Sequence, residues 1–206
     1  MLPFETLSAH YREYASQSDE WVRNMELTKR SIVSQTVKVV GELHFPAIPR
    51  IVVLGASDKR YIPIHERIFS DVLKSRVAVT TLDADRAHLG SGKDVVQHDV
   101  TTWFPVRGCH IVFSHELLKF LTEREQLLCL QHSHAALAQG GFAMHVMHEP
   151  ALKGTAELRS WQYRVNLREL TQALGAININ TELLDFQSES TVSWLKPTAV
   201  LLLRRK

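Results

Sequence analysis

The sequence predicts an α/β fold built on a mainly parallel sheet, and three observations predict it. From Arg50 onward, short apolar runs alternate with helical patterns, the mark of strand–helix–strand units with right-handed crossovers. Four of the strand-like runs stop at residues suited to holding a nucleotide-like ligand. They are Ile51-Val52-Val53-Leu54 before Gly55, Val77 to Leu82 before Asp83, Asp94 to Gln97 before His98-Asp99, and Ile111-Val112-Phe113 before Ser114-His115-Glu116. The tail then changes character: two strand-like runs follow the last helical pattern and read as a hairpin added at one sheet edge. In an open parallel sheet the strand carboxyl ends form the ligand crevice, so the pattern points to a ligand before it points to a reaction.

Each element has its own warrant. Phe4 to Val40 is expected to be helical, because Tyr11, Tyr14, Trp21, Met25, Leu27, Ile32 and Val33 recur at roughly helical spacing. Ser16 to Asp19 supplies a break or N-cap. This stretch, within residues 1–45, is expected to form an arm or lid, and residues 46–206 the sheet domain. After the first strand a helix is expected over Pro63 to Lys74, since proline fits a first helical turn. Thr122 to Ala138 reads as a helix with Thr122 as N-cap and Glu125 completing a capping box. Gly140-Gly141 is expected to stop it before the strand Phe142–Met147. Leu167 to Leu174 reads as a helix ending at Gly175. Strands are expected over Ile177–Phe186 and Thr198–Leu203, with a further run at Thr191–Leu195.

Composition narrows the function classes. A chain of 206 residues suits one core, and 45% hydrophobic with 22% charged residues is ordinary for a soluble globular protein. A net charge of +2 argues against a strongly electrostatic nucleic-acid binder. Cys109 and Cys129 make no spaced pair, so no disulfide framework is expected and a reducing cytoplasm is the simplest location. The first residues lack a signal-peptide pattern, and the longest apolar run, Ala199 to Leu203, is too short to span a bilayer. No membrane partner is therefore expected. Of the eleven histidines, His132 and His134 are spaced to point apart on a helix. His145 and His148 face opposite sides of a strand, so no metal is expected.

The order of elements resembles the class I S-adenosylmethionine-dependent methyltransferases over about Arg50 to Lys206. The resemblance rests on Ile51 to Ser57 as the first-strand motif, Leu82-Asp83 as the second-strand acidic end, and His98-Asp99-Val100 with Trp103-Phe104-Pro105 as the third. Ile111 to His115, the step Leu137 to Phe142, and the closing helix with two strands complete it. It implies a Rossmann-like sandwich: a mainly parallel seven-stranded sheet with a reversed C-terminal strand and helices on both faces. It also implies S-adenosylmethionine as cofactor, with Gly55, Ala56, Ser57, Asp58, Asp83, His98, Asp99, Val100 and Ser114 as its binding residues. Bare backbone at Gly55 would pass close to the methionine part, and N–H groups of Ala56 to Asp58 would meet its carboxylate. Asp83 would accept both ribose hydroxyls, Asp99 the adenine amino group, and Val100 would pack on the adenine face. His115, Glu116 and His148, with Glu149, would sit beside the acceptor, where one of them would take a proton.

The chain also departs from that family's pattern. Val53 stands where an acidic residue is usual, and Ser57 and Lys59 replace the next two glycines. The Asn/Asp-Pro-Pro-Tyr motif is absent after the fourth strand, which argues against methylation of nucleobase exocyclic amines. The leading expectation is methyl transfer to a small-molecule or modest-sized acceptor, with a protein partner or a homodimer left open. The alternatives are a catalytically inactive methyltransferase-like interaction module and a nicotinamide dinucleotide enzyme. Ser57 and Arg60 break the Gly-x-Gly-x-x-Gly spacing that the last of these needs. Tyr11, Tyr14 and Trp21 either line the acceptor pocket or staple the arm to the sheet.

Overall fold

Successive side chains of each strand point to opposite faces, which fixes the helices each residue packs against. The computed structural model describes residues 4–90, 92, 94–148, 159, 161–186 and 198–206. Two helices come first, α1 (Phe4–Ala15) and α2 (Asp19–Val40), then β1 (Arg50–Leu54), α3 (Tyr61–Leu73), β2 (Ala78–Asp83) and β3 (Val95–Gln97). They are followed by β4 (Cys109–His115), a 3₁₀ turn (Leu118–Phe120), α4 (Glu123–Ala136) and β5 (Leu137–His148). The chain closes with α5 (Leu167–Ala176), β6 (Asn180–Phe186) and β7 (Thr198–Arg204).

The seven strands run in the order β3-β2-β1-β4-β5-β7-β6. Neighbours from β3 to β5 are parallel, and β7 runs antiparallel to both β5 and β6. Odd and even positions bury into two different cores. Ile51, Val53, Ile111, Phe113, Phe142, Met144, Val200 and Leu202 pack with Ile32 and Val33 of α2 and Ile68 and Phe69 of α3. Val52, Leu54, Val112, Ala143, Leu201 and Leu203 pack with Cys129 and Leu130 of α4 and Leu170 and Leu174 of α5. The expected sandwich and reversed strand are therefore present. Among the described residues no helix is long and apolar enough to cross a membrane.

Local chemistry explains the helix starts. Ser18 caps α2, its Oγ accepting from Trp21 N at 3.1 Å. Thr122 caps α4, and the Glu125 carboxylate accepts in return from Thr122 N at 3.0 Å, completing the expected capping box. Pro63 lies in the first turn of α3, with Lys74 in the left-handed conformation behind its last residue.

Two glycine expectations need correction. Helix α4 ends at Ala136, and Gly140-Gly141 lie inside β5 instead of before it. The strand irregularity there explains them. The β4–β5 register shifts between Cys109 and Ile111, and a Cβ on Gly141 would sit 3.0 Å from the His110 carbonyl oxygen. Gly175 is likewise within α5, and the left-handed turn that follows falls on Asn178. The run Thr191–Leu195 and Glu149 lie outside the described residues.

Candidate active site

Strand register sets the site. Leu54 is level with Leu82 and with Ser114, which puts Gly55, Asp83 and His115 in one row at the sheet's carboxyl edge. Gly55 N donates to Leu82 O at 2.8 Å, and His98 N to Asp83 O at 2.8 Å, so the ladder continues past the strands. Gly55 has φ +73°, a backbone that L side chains rarely adopt, and a Cβ there would touch Leu117 Cδ1 at 3.4 Å.

These strand ends open into one cavity. Gly55 and Ser57 line it from β1, Asp83 from β2, and His98, Asp99 and Val100 from β3. Leu117, Phe120 and Leu121, from the turn after β4, supply an apolar wall, and His10 and Tyr11 of α1 close it. Helix α1 thus reaches the site directly. Asp99 is held in place by its own loop, Oδ1 accepting from Thr101 N at 2.9 Å and Thr101 Oγ1 at 2.7 Å. His10 is pushed down to about 4, by burial first and by the nearby Lys119 second. It is therefore a neutral wall.

Asp83 is buried and already partnered. Its Oδ1 accepts from the Tyr11 hydroxyl at 2.9 Å and from Asp85 N at 3.2 Å, and its Oδ2 from Ala56 N at 3.0 Å. The Tyr11 ring stacks on His88, with centroids 3.5 Å apart and planes at 13°. Burial, and then the Asp83 charge, push the Tyr11 hydroxyl pKa well up, so it stays a donor.

Three sequence candidates fall elsewhere, each for a physical reason. Ala56 is buried, and its N–H serves Asp83; Asp58 N is likewise taken, by Ala56 O at 2.7 Å. The expected row of free N–H groups is thus largely spent within the loop. The Asp58 carboxylate is gripped by Arg60, at 2.8 Å from Nη2, which holds it below the usual carboxylate range despite burial. Arg60 also donates to Gln17 O at 2.9 Å and Tyr14 O at 3.1 Å, so it pins the α1–α2 junction and leaves no free guanidinium for a ligand carboxylate. Ser114 points to the α4/α5 face, where its Oγ meets His145 Nδ1 at 2.8 Å; burial pushes His145 down to about 3.

The proposed proton acceptors gather on the opposite, α2/α3 face, and none of them lines the cavity. His115 Nε2 lies 3.1 Å from His148 Nε2, and His148 Nδ1 lies 2.9 Å from Thr198 Oγ1. Glu116, at φ +61°, accepts from His148 N at 2.6 Å and from Lys119. Burial holds His115 well below its ordinary value, and the His148 ring lowers it further. A second buried pair, Lys29 Nζ of α2 to His65 Nε2 of α3 at 3.0 Å, joins the two helices that cover this face. Burial brings that lysine down to about 7. Among the described residues no group of three or more metal-ligating side chains is assembled.

The sequence did not reveal Tyr11 as a partner of Asp83, nor His88, Leu117, Phe120 or the Lys29–His65 pair. No local signal marks them, because each acts through a contact between distant segments. Comparison with solved structures places the fold. No protein-family model and no curated protein matches the chain. A TehB-like S-adenosylmethionine-dependent methyltransferase from Corynebacterium glutamicum superposes with TM-score 0.60 at 16% identity, covering 97% of this chain and 100% of that one. The N-methyltransferase NodS from Bradyrhizobium japonicum, in complex with S-adenosylhomocysteine, gives TM-score 0.60 at 11% identity, covering 98% and 97%. The 1,6-didemethyltoxoflavin-N1-methyltransferase of Burkholderia thailandensis, with 1,6-didemethyltoxoflavin and S-adenosylhomocysteine bound, gives 0.59 at 14% identity, covering 100% and 91%. With the strand order, reversed β7 and the cavity at the strand ends, these likenesses show that the chain has the class I S-adenosylmethionine-dependent methyltransferase fold.

Proposed function

We propose that the protein is an S-adenosylmethionine-dependent methyltransferase acting on a small-molecule or modest-sized acceptor. The convergence of Gly55, Asp83 and Asp99 on one cavity carries this reading. The residues present suit an adenosine. A buried carboxylate lies level with the bare backbone of Gly55, a second sits on a rigid turn, and Val100, Leu117 and Leu121 offer apolar surface between them. That two structural relatives hold S-adenosylhomocysteine supports the same ligand class.

In this reading the cofactor supplies an activated methyl group for direct in-line displacement. The chain's own task is positioning. Asp83 would accept from the ribose hydroxyls, Asp99 from the adenine amino group, and Val100 would pack on the ring. Gly55 lets the backbone pass the methionine part, with Ser57 and His98 on the wall beside it. For His115, Glu116 and His148 we propose a positioning role, binding the turn after β4 to the end of β5. Glu116 does this through His148 N and Lys119.

Calorimetric titration with S-adenosylmethionine, S-adenosylhomocysteine and NAD tests the proposal. Saturable binding of the first two at one site, with no heat from NAD, is expected. Binding of NAD instead would point to hydride chemistry, and silence with all three to an interaction module.

A further inference from the structure

We propose that α1 is an autoinhibitory latch, in which the Tyr11 hydroxyl occupies the place of a ribose hydroxyl at Asp83 and must leave before a nucleoside can bind. The inference rests on the adenosine site described above and adds a control to it. A carboxylate offers about four lone-pair positions. Protein donors already fill three on Asp83: Tyr11 Oη, Asp85 N and Ala56 N. A ribose diol needs two. One donor must therefore withdraw, and two of the three are backbone groups of the loops that shape the site. Tyr11 is the remaining one, and it comes from a helix 72 residues away in sequence.

The surroundings suit a detachable contact. The Tyr11 ring stacks on His88, so that side is held by ring contact, with His88 Nε2 4.0 Å from Asp83 Oδ2. His10 packs its ring against Phe120 at 4.7 Å, on the cavity's apolar wall, so the residue before Tyr11 also covers the site. Behind them the α1–α2 junction is fixed. Arg60 donates to the carbonyls of Tyr14 and Gln17 and pairs with Asp19 at 3.0 Å. Helix α1 can then lift from Asp83 about an anchored turn, without α2 leaving the sheet, where Val22, Ile32 and Val33 stay in the core.

Population arithmetic gives the size of the effect. If the closed form holds about nine-tenths of the molecules, it weakens apparent nucleoside affinity about tenfold. The Tyr11→Phe variant keeps the stacking ring and removes the competing hydroxyl. Titration with S-adenosylhomocysteine should show it binding about three- to tenfold more tightly than wild type. In the wild-type protein, amide exchange across residues 8–15 should rise when the ligand is added, a readout that does not depend on any variant folding. Unchanged or weaker binding by Tyr11→Phe, or ligand-induced protection of residues 8–15, would overturn the latch and make Tyr11 part of the ribose site. Absence of binding by both proteins, each shown folded by circular dichroism, would instead overturn the adenosine site and the latch with it.

Discussion

The carboxyl ends of β1–β3 and those of β4–β5 belong to one sheet edge, yet they have opposite fates. At the first, Gly55, Asp83 and Asp99 face a cavity. At the second, His115, Glu116 and His148 are tied to one another, to Thr198 and to Lys119, and they line no part of it. Both ends carry residue types fit for chemistry. What separates them is what covers them. Single side chains of α1 reach over the first end, whereas the second lies on the face that α2 and α3 bury with aromatic and aliphatic side chains. Placement at a strand end makes a residue a candidate, and the covering element decides whether a ligand can reach it.

The largest expected effect is acid sensitivity centred on the sealed end. His115, His148, His65 and His145 are all held below the ordinary histidine value by burial, His145 at about 3. The folded state therefore binds fewer protons than the unfolded chain once pH drops below about 6.5. The stability from keeping these rings neutral is complete above that pH. It is lost progressively as pH falls toward the folded values, at about 1.4 kcal/mol per pH unit for each ring that stays neutral. Urea denaturation at pH 7, 6 and 5 checks this, and His115→Gln should reduce the slope. A flat profile would mean that the cluster is open to water.

Next in size is the open end. Asp83→Asn should weaken S-adenosylhomocysteine about 10- to 100-fold, the range expected when charge-assisted hydrogen bonds become neutral ones. Asp99→Asn replaces a single acceptor with an amide and should weaken binding about fivefold. Calorimetry measures both, and equal losses would argue that the two carboxylates do not divide ribose and base between them. The smallest effect belongs again to the sealed side: His148→Gln should leave the affinity for S-adenosylhomocysteine within about twofold, since its ring lies off the cavity. A large loss there would erase the contrast between the two ends.

Much of the fold was legible because its signals are local. Unbroken apolar runs in Ile51–Leu54 and Ile111–Phe113 mark strands buried on both faces. Ser18 and the Thr122–Glu125 box mark helix starts. Gly55 and Asp83 were legible as cavity residues because a strand's end is readable from its own sequence. The seal was not. It depends on Tyr11 meeting Asp83 across 72 positions, Lys29 meeting His65 across 36, and His115 meeting His148 across 33. Gly140-Gly141 misled for a related reason, since a φ of +73° at Gly140 and the close approach of β4 carbonyls to Gly141, not a helix end, favour glycine there.

A crystal structure of the protein soaked with S-adenosylhomocysteine tests the central claim most directly. Density for adenine beside Val100 and Asp99, with ribose hydroxyls on Asp83 and the tail passing Gly55, is the predicted result. Ligand density at another surface, or a fully occupied site at which neither Asp83 nor Asp99 touches the nucleoside, would contradict it.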